Sequence, residues 1–186
     1  QSTWAGVKPM LELNASNYLI TGVKDVFGKQ MREYVFAYLL HFSRKVAQFS
    51  ELQTNQQWQD NEVVTDNLFE KTIGIIGVGS IGKEVAKLAK QFDMQVLGLS
   101  RSGTNCEFVD KNFHYEQLGM FASKLDYCVC LLPHTTMTAG LLDGAFFSSL
   151  PNHAIFINAG RGQVVDHNAL ITALQNNQLA GAVLDV

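Results

Sequence analysis

The chain has 186 residues, of which 47% are hydrophobic and 17% charged, so it can form one compact domain, or one domain with a piece of another. The formal net charge is -3, and the Lys and Arg residues are scattered, which excludes the basic stripe that nucleic-acid binding requires. The longest apolar runs, such as residues 35–40, fall far short of a bilayer span, and no charged leader precedes an apolar segment at the N-terminus. We therefore predict a cytoplasmic protein with no nucleic-acid or membrane partner.

The three cysteines, Cys106, Cys128 and Cys130, form no C-x-x-C pair, which favours reduced thiols in the cytosol. Cys128 and Cys130 stand two apart in an apolar run, so on a strand they face the same side. A metal site is conceivable, but burial as small hydrophobes is favoured because no His or Cys stands at ligand spacing. We predict no metal site.

The first 25 residues are short apolar pieces interrupted by Gly, Pro and Asn, and they are interpreted as the tail of a substrate-binding domain, with residues 26–186 as the main domain. A helix is predicted from Phe27, because apolar residues recur at helical spacing on one face: Met31, Val35, Tyr38, Leu39, Phe42 and Val46. Further apolar residues broaden this face, so the helix is either buried nearly all round or shared with a second subunit in a homodimer. Residues 50–62 are polar and fit a linker or the frayed end of this helix.

After the linker, apolar strands alternate with helices. Strands are predicted at 73–76, 95–99, 127–132, 154–157 and 182–186, and helices at 81–92, 116–124, 143–149 and 167–176. Asp143 and Asp166 suit helix N-caps, and Pro151 ends the helix before it. Strands that are apolar on both faces and separated by helices predict an α/β fold, a Rossmann-type doubly wound parallel sheet with helices on both faces.

Glycines at G-x-G-x-x-G spacing stand between the first of these strands and its helix. The spacing alone is weak, because a tight turn gives the same pattern. With the strand before it and the helix after it, Gly77 permits the sharp turn, Gly79 lets the backbone approach a pyrophosphate, and Gly82 lets the helix lie close to the strand. The anion would lie on the helix N-terminal N–H groups. The predicted cofactor-binding loop comprises Gly77, Val78, Gly79, Ser80, Ile81 and Gly82.

The end of the second predicted strand carries the residues that should contact the adenine ribose, about 20 residues beyond the glycines. Here the chain has Ser100, Arg101 and Ser102 in place of an acidic residue. Two hydroxyls and a guanidinium favour a 2′-phosphate, so we predict NADP(H) over NAD(H), by about tenfold to a hundredfold. A surface Arg in a loop is the alternative interpretation.

Four stretches of the sequence are informative when taken together: residues 73–92, CLLPHTTMT (130–138), INAGRGQVVD (157–166) and GAVLDV (181–186). Together they resemble the D-isomer-specific 2-hydroxyacid dehydrogenase family over nearly the whole chain, most of all its NADPH-dependent glyoxylate and hydroxypyruvate reductases. The resemblance implies an oxidoreductase that transfers hydride between NADP(H) and a small 2-oxo or 2-hydroxy acid, with NAD(H) as the second possible cofactor.

The resemblance also implies residue roles. Arg161 would hold the carboxylate and keto oxygen of the 2-oxo acid, as a planar guanidinium grips a carboxylate with two hydrogen bonds; without the resemblance, an Arg between two glycines fits a surface turn equally well. The remaining roles are the nicotinamide side of the site for Leu132, Pro133 and Ala159, the carboxamide for Asp185, and the substrate carboxylate for Trp4, Ala5 and Gly6.

The family's acid/base His and its orienting Glu have no counterpart in these residues, and the resemblance puts both beyond the last strand. His134 follows Pro133 and is a candidate substitute, although the matching family position has no proton-transfer role. We therefore expect a fragment that binds the cofactor without turnover. A nucleotide-sensing or co-repressor module on the same fold is the alternative, and a methyltransferase is disfavoured because it has no use for the residues at 100–102 or 158–162.

Overall fold

The computed structural model describes residues 25–58, 63–103 and 106–186. Their strands form one parallel sheet: β1 (Thr72–Ile76), β2 (Gln95–Leu99), β3 (Lys111–Phe113), β4 (Tyr127–Cys130), β5 (Ile155–Asn158) and β6 (Gly181–Leu184). The strand order is β3-β2-β1-β4-β5-β6, so the direction of winding reverses between β1 and β4. Such a reversal leaves a crevice at the carboxyl ends of the strands. The predicted Rossmann-type sheet is confirmed.

Helices cover both faces of this sheet, as predicted. They are α1 (Gly28–Ser43), α2 (Val46–Thr54), α3 (Ser80–Gln91), α4 (Leu118–Ala122), α5 (Gly144–Ser149) and α6 (His167–Gln175), with 3₁₀ turns at Tyr115–Gln117 and Gly162–Val164. Buried residues of α1 and α3 pack in one apolar cluster on one face, and those of α4, α5 and α6 pack in another on the opposite face. None of the helices in the described ranges is long and apolar enough to cross a membrane.

Strand β4 illustrates how alternation divides the core between the two faces. Tyr127 and Val129 belong to the cluster under α1 and α3, whereas Cys128 and Cys130 belong to the cluster under α4, α5 and α6. Both thiols are fully buried, which confirms the interpretation of these cysteines as core residues. Burial raises the pKa of Cys128 well above its usual range and that of Cys130 to about 11.

The two predicted N-caps are confirmed. The carboxylate of Asp143 accepts the backbone N–H of Phe146 at 3.0 Å, and that of Asp166 accepts the N–H groups of Asn168 and Ala169. These bonds satisfy donors that the first helical turn leaves without partners.

Apart from shifts of one or two residues at the ends of elements, the structure differs from the prediction in two places. Helix α1 ends at Ser43 because Lys45 adopts a left-handed backbone, with a φ of 54°, and α2 then occupies part of the predicted linker. Strand β3 was not predicted, because it is a short edge strand with a polar sequence and pairs only with β2. The predicted tail, apart from Asp25, and residues 59–62 of the linker lie outside the described residues.

Candidate functional site

A cleft of about 330 Å³ opens at the carboxyl ends of β1, β2 and β4, beside the point where the strand order reverses. The residues that line it are Gly77, Val78, Gly79, Ser80, Ile81, Gly82, Ser100, Arg101, Tyr115, Leu131 and Pro133. The fold thus brings together the predicted glycine loop, two residues of the predicted ribose-recognition segment and the proline after β4.

The three loop glycines occupy different environments. Gly77 has a φ of +97°, a conformation that side chains rarely adopt. A Cβ on Gly82 would lie 2.6 Å from the carbonyl oxygen of Gly77, so only glycine lets α3 approach β1 this closely. A Cβ on Gly79 would meet no atom within 4 Å. Gly77 and Gly82 therefore serve the turn and the packing of the helix, whereas Gly79 borders open space in the cleft.

The N-terminus of α3 lines the cleft. Gly79 is its N-cap residue in an extended conformation, and within the described residues no side chain caps this end and no acidic residue lies in the first turn. The first N–H groups of a helix lack intrahelical partners and carry partial positive charge. They are available here to an anion in the cleft.

The segment after β2 also lines the cleft, through Ser100 and Arg101. Ser100 is half-buried, with its hydroxyl oxygen accepting hydrogen bonds from Gly103 N–H and from the Asn112 side chain. Arg101 is exposed and lines the cleft, whereas Ser102 is exposed but does not line it. Burial raises the pKa of the Tyr115 hydroxyl, and the positive charge of nearby Arg101 counteracts part of this effect.

The loop after β4 is fixed by internal hydrogen bonds that hold Pro133 at the cleft. The buried Thr138 hydroxyl donates to the Pro133 carbonyl at 2.6 Å and accepts the backbone N–H of Thr135 at 2.8 Å. Leu132 points into the core beneath the loop and is 5% exposed, while His134 is exposed.

The loop after β5 is organised by Asn158, which is fully buried at the end of that strand. Its side-chain oxygen accepts Gly160 N–H at 3.0 Å, and its amide donates to the Arg161 carbonyl at 3.3 Å. A Cβ on Gly160 would lie 2.7 Å from the carbonyl oxygen of Leu132, so the loop packs directly on the backbone after β4. The half-exposed Arg161 guanidinium donates to the Gly160 carbonyl, which holds it against its own loop.

Several predicted site residues stand at the same edge of the sheet but do not line the cleft: Ser102, Leu132, Ala159, Arg161 and Asp185. Asp185 is exposed, and its backbone N–H donates to the Asn158 carbonyl at 2.9 Å. The predicted substrate contacts Trp4, Ala5 and Gly6 lie outside the described residues. The described part of the chain contains no group of His, Cys, Asp and Glu that could hold a metal ion.

Sequence reasoning missed two lining residues, Tyr115 and Leu131, and two that fix the loops, Thr138 and Asn158. Tyr115 follows the unpredicted strand β3, so no element pointed to it. The sequence contains a signal for each of the other two. For Thr138 it is the T-x-x-T spacing, and for Asn158 it is the position of a lone polar residue at the end of an apolar strand.

Comparison with known proteins agrees with this geometry. Residues 36–186 match the family model described as D-isomer specific 2-hydroxyacid dehydrogenase, NAD binding domain. Glyoxylate/hydroxypyruvate reductase A of Serratia proteamaculans is 35% identical over 158 residues, which cover 85% of this chain and 50% of the relative.

Two solved structures are similar in fold and sequence. A D-isomer specific 2-hydroxyacid dehydrogenase family protein from Aeromonas salmonicida superposes with a TM-score of 0.93 at 36% identity, over 99% of this chain and 59% of that one. A D-isomer specific 2-hydroxyacid dehydrogenase from Xanthobacter autotrophicus, solved in complex with NADPH and MES, gives a TM-score of 0.86 at 32% identity, over 98% of this chain and 75% of that one.

The chain spans about half the length of the curated relatives it matches. The family model covers most of the chain, and both the sheet order and the glycine loop agree with it. The chain therefore belongs to the D-isomer specific 2-hydroxyacid dehydrogenase family, and residues 36–186 correspond to the NAD-binding domain of that family.

Proposed function

We propose that the cleft binds NADP(H), and NAD(H) less tightly, and that the whole protein is an oxidoreductase acting on a small 2-oxo or 2-hydroxy acid of the glyoxylate and hydroxypyruvate type. One observation carries the proposal: the uncapped N-terminus of α3 and Arg101 line the same cleft. Among the described residues that line this cleft, none carries a carboxylate. Both features attract phosphate groups.

The residues present fit a dinucleotide. The open space at Gly79 leaves room for a pyrophosphate beside the helix N-terminus. The Ser100 hydroxyl and Arg101 guanidinium stand where a carboxylate would otherwise accept hydrogen bonds from a ribose. The similar structure from Xanthobacter autotrophicus, solved in complex with NADPH, supports NADP(H) as the cofactor.

The chemistry that the cofactor supplies when bound is hydride transfer. From this chain, Arg161 would supply the guanidinium that faces the substrate: Asn158 bonds to the backbone of its loop at the carboxyl edge of the sheet, and the guanidinium itself donates to the Gly160 carbonyl. A guanidinium in this position binds a carboxylate with two parallel hydrogen bonds and orients the neighbouring keto group.

Direct titration tests the cofactor assignment. We expect the purified protein to bind NADPH with a Kd about tenfold to a hundredfold lower than that of NADH. Arg101→Ala should remove most of this difference by weakening NADPH binding. Lys124→Ala is the matched control, because it removes an exposed positive charge just before β4, at the opposite edge of the sheet. Equal affinity of the wild-type protein for both cofactors would contradict the proposal.

We also propose that the protein forms a homodimer through α1 and α2. Helix α2 buries none of its residues, and Leu40, Val46 and Phe49 are exposed at 37%, 45% and 43%. A second copy of the same surface would cover these side chains. Sedimentation equilibrium should give twice the monomer mass, and a Phe49→Glu variant should shift it toward the monomer; a monomer at all concentrations would refute this.

A further inference from the structure

Ser100 lies directly after β2, and its hydroxyl oxygen accepts hydrogen bonds from other groups of the protein. Its Oγ accepts the backbone N–H of Gly103 at 3.2 Å and the side-chain amide N–H of Asn112 at 3.1 Å. A serine hydroxyl has two lone pairs and a single hydrogen. Because both lone pairs are engaged, the group can offer only its hydrogen to a ligand in the cleft.

Asn112 reaches Ser100 because of the way β3 pairs with β2. In the register of these strands Asn112 lies opposite Gly98, and a Cβ on Gly98 would lie 2.7 Å from the Asn112 side-chain oxygen. The missing side chain at Gly98 therefore leaves the space that the Asn112 amide occupies. The backbone N–H of Ser100 also donates to the Phe113 carbonyl at 3.0 Å, so β3 fixes both the main chain and the hydroxyl of Ser100.

A hydroxyl that can only donate is matched to a ligand group that can only accept. An ionised phosphate monoester is such a group, and a hydrogen bond to it is strengthened by charge. A ribose 2′-hydroxyl is neutral, so as an acceptor it makes a weaker bond, and its own hydrogen finds no acceptor on Ser100. The arrangement thus discriminates between the two cofactors at the same atom.

We infer that Asn112 is a positioning residue for cofactor selection: by donating to Ser100 Oγ, it directs the Ser100 hydroxyl hydrogen toward the 2′-phosphate of NADP(H). This inference rests on the proposed cofactor preference. It assigns no contact between Asn112 and the cofactor, because Asn112 does not line the cleft.

A double-mutant cycle on the purified protein tests this role. Asn112→Ala should raise the Kd of NADPH about threefold to tenfold and that of NADH by less than about twofold, which is the size expected for a weakened charged hydrogen bond. Ser100→Ala should raise the Kd of NADPH about tenfold, and Asn112→Ala should add nothing in the Ser100→Ala background. Asn152→Ala, an exposed Asn just before β5, is the matched control and should leave both constants unchanged.

Asn112→Asp provides a second, nearly isosteric variant. Its carboxylate accepts the Ser100 hydrogen and turns it away from the cleft, so NADPH affinity should fall further than in Asn112→Ala. The same substitution in the Ser100→Ala background measures the pure effect of the added charge, and the difference between the two backgrounds reports the hydroxyl.

The outcomes separate this inference from the cofactor proposal beneath it. Suppose that Arg101→Ala abolishes the preference for NADPH. If Asn112→Ala then raises the Kd of both cofactors equally, or has the same effect in the Ser100→Ala background, the role inferred for Asn112 is wrong and the cofactor assignment stands. If the wild-type protein binds neither cofactor or binds both equally, both proposals fall.

Discussion

Alanine substitutions at two glycines of the same loop should have different consequences: one should lower the stability of the fold, and the other should weaken cofactor binding. In Gly82→Ala the new methyl group lies 2.6 Å from a backbone carbonyl oxygen, that of Gly77, whose own conformation is fixed by its φ of +97°. In Gly79→Ala the methyl group meets no protein atom within 4 Å, and the φ of -88° suits alanine. Gly82→Ala should therefore destabilise the fold, and Gly79→Ala should obstruct the cleft.

The magnitudes follow from the contacts. Because the close contact is with backbone, overpacking should cost about 2–3 kcal/mol, and the higher helix propensity of alanine returns about 1 kcal/mol, so Gly82→Ala should lower the free energy of unfolding by about 1–2 kcal/mol. For Gly79→Ala, the reduced freedom of the unfolded chain contributes about 0.4–1 kcal/mol and roughly offsets the poorer N-cap, so stability should stay close to wild type. If the methyl group displaces a phosphate from one charged hydrogen bond, the Kd of either cofactor rises about tenfold to a hundredfold.

Urea unfolding followed by circular dichroism measures the first quantity, and calorimetric titration with NADPH and NADH measures the second. The reasoning would be refuted by a Gly79→Ala protein that binds both cofactors like wild type, since the open space would then not be the binding surface. It would equally be refuted by a Gly82→Ala protein of unchanged stability.

Three further expectations concern the core and the loop after β5. Asn158→Ala should lower the free energy of unfolding in urea by about 1–3 kcal/mol, because the buried Gly160 N–H and the Arg161 carbonyl lose their hydrogen-bond partner. Phe156→Ala should lower it by about 3–5 kcal/mol, because the fully buried ring packs against two others at 5.4 and 6.2 Å. At pH 8 a thiol reagent should label Cys106 alone in the native protein, and also Cys128 and Cys130 after unfolding. The free energy of unfolding should fall as pH rises above about 9, because burial raises the pKa of Cys128 and Cys130 and these thiols therefore ionise first in the unfolded chain.

The sheet was predictable because its strands are continuous apolar runs. Strand β2 has the predicted bounds, Gln95–Leu99, and β1 differs by one residue, since strands buried on both faces leave no polar alternation to confuse the boundary. The roles of Gly77 and Gly82 were also predictable, because the turn and the close packing follow from local geometry around one strand and one helix.

What escaped prediction leaves no signal in the local pattern of the sequence. Strand β3 is polar and exists through pairing with β2, so the chain itself gives no periodic signal for it. Tyr115 reaches the cleft only because it follows that strand. The break at Lys45 depends on a left-handed residue that no glycine marks.

In the proposed function, cofactor binding and cofactor selection depend on different elements of the cleft. The helix N-terminus and Gly79 would contact the pyrophosphate, which NADPH and NADH share, so changes there should weaken the binding of both cofactors equally. Ser100 and Arg101 follow β2, where β3 fixes Ser100, and in the proposed binding mode they would contact the 2′ position at which the two cofactors differ. Because these two groups of residues belong to different elements, we expect selectivity to change at the β2–β3 edge without disturbing the glycine loop, so that the ratio of the two dissociation constants reports that edge alone.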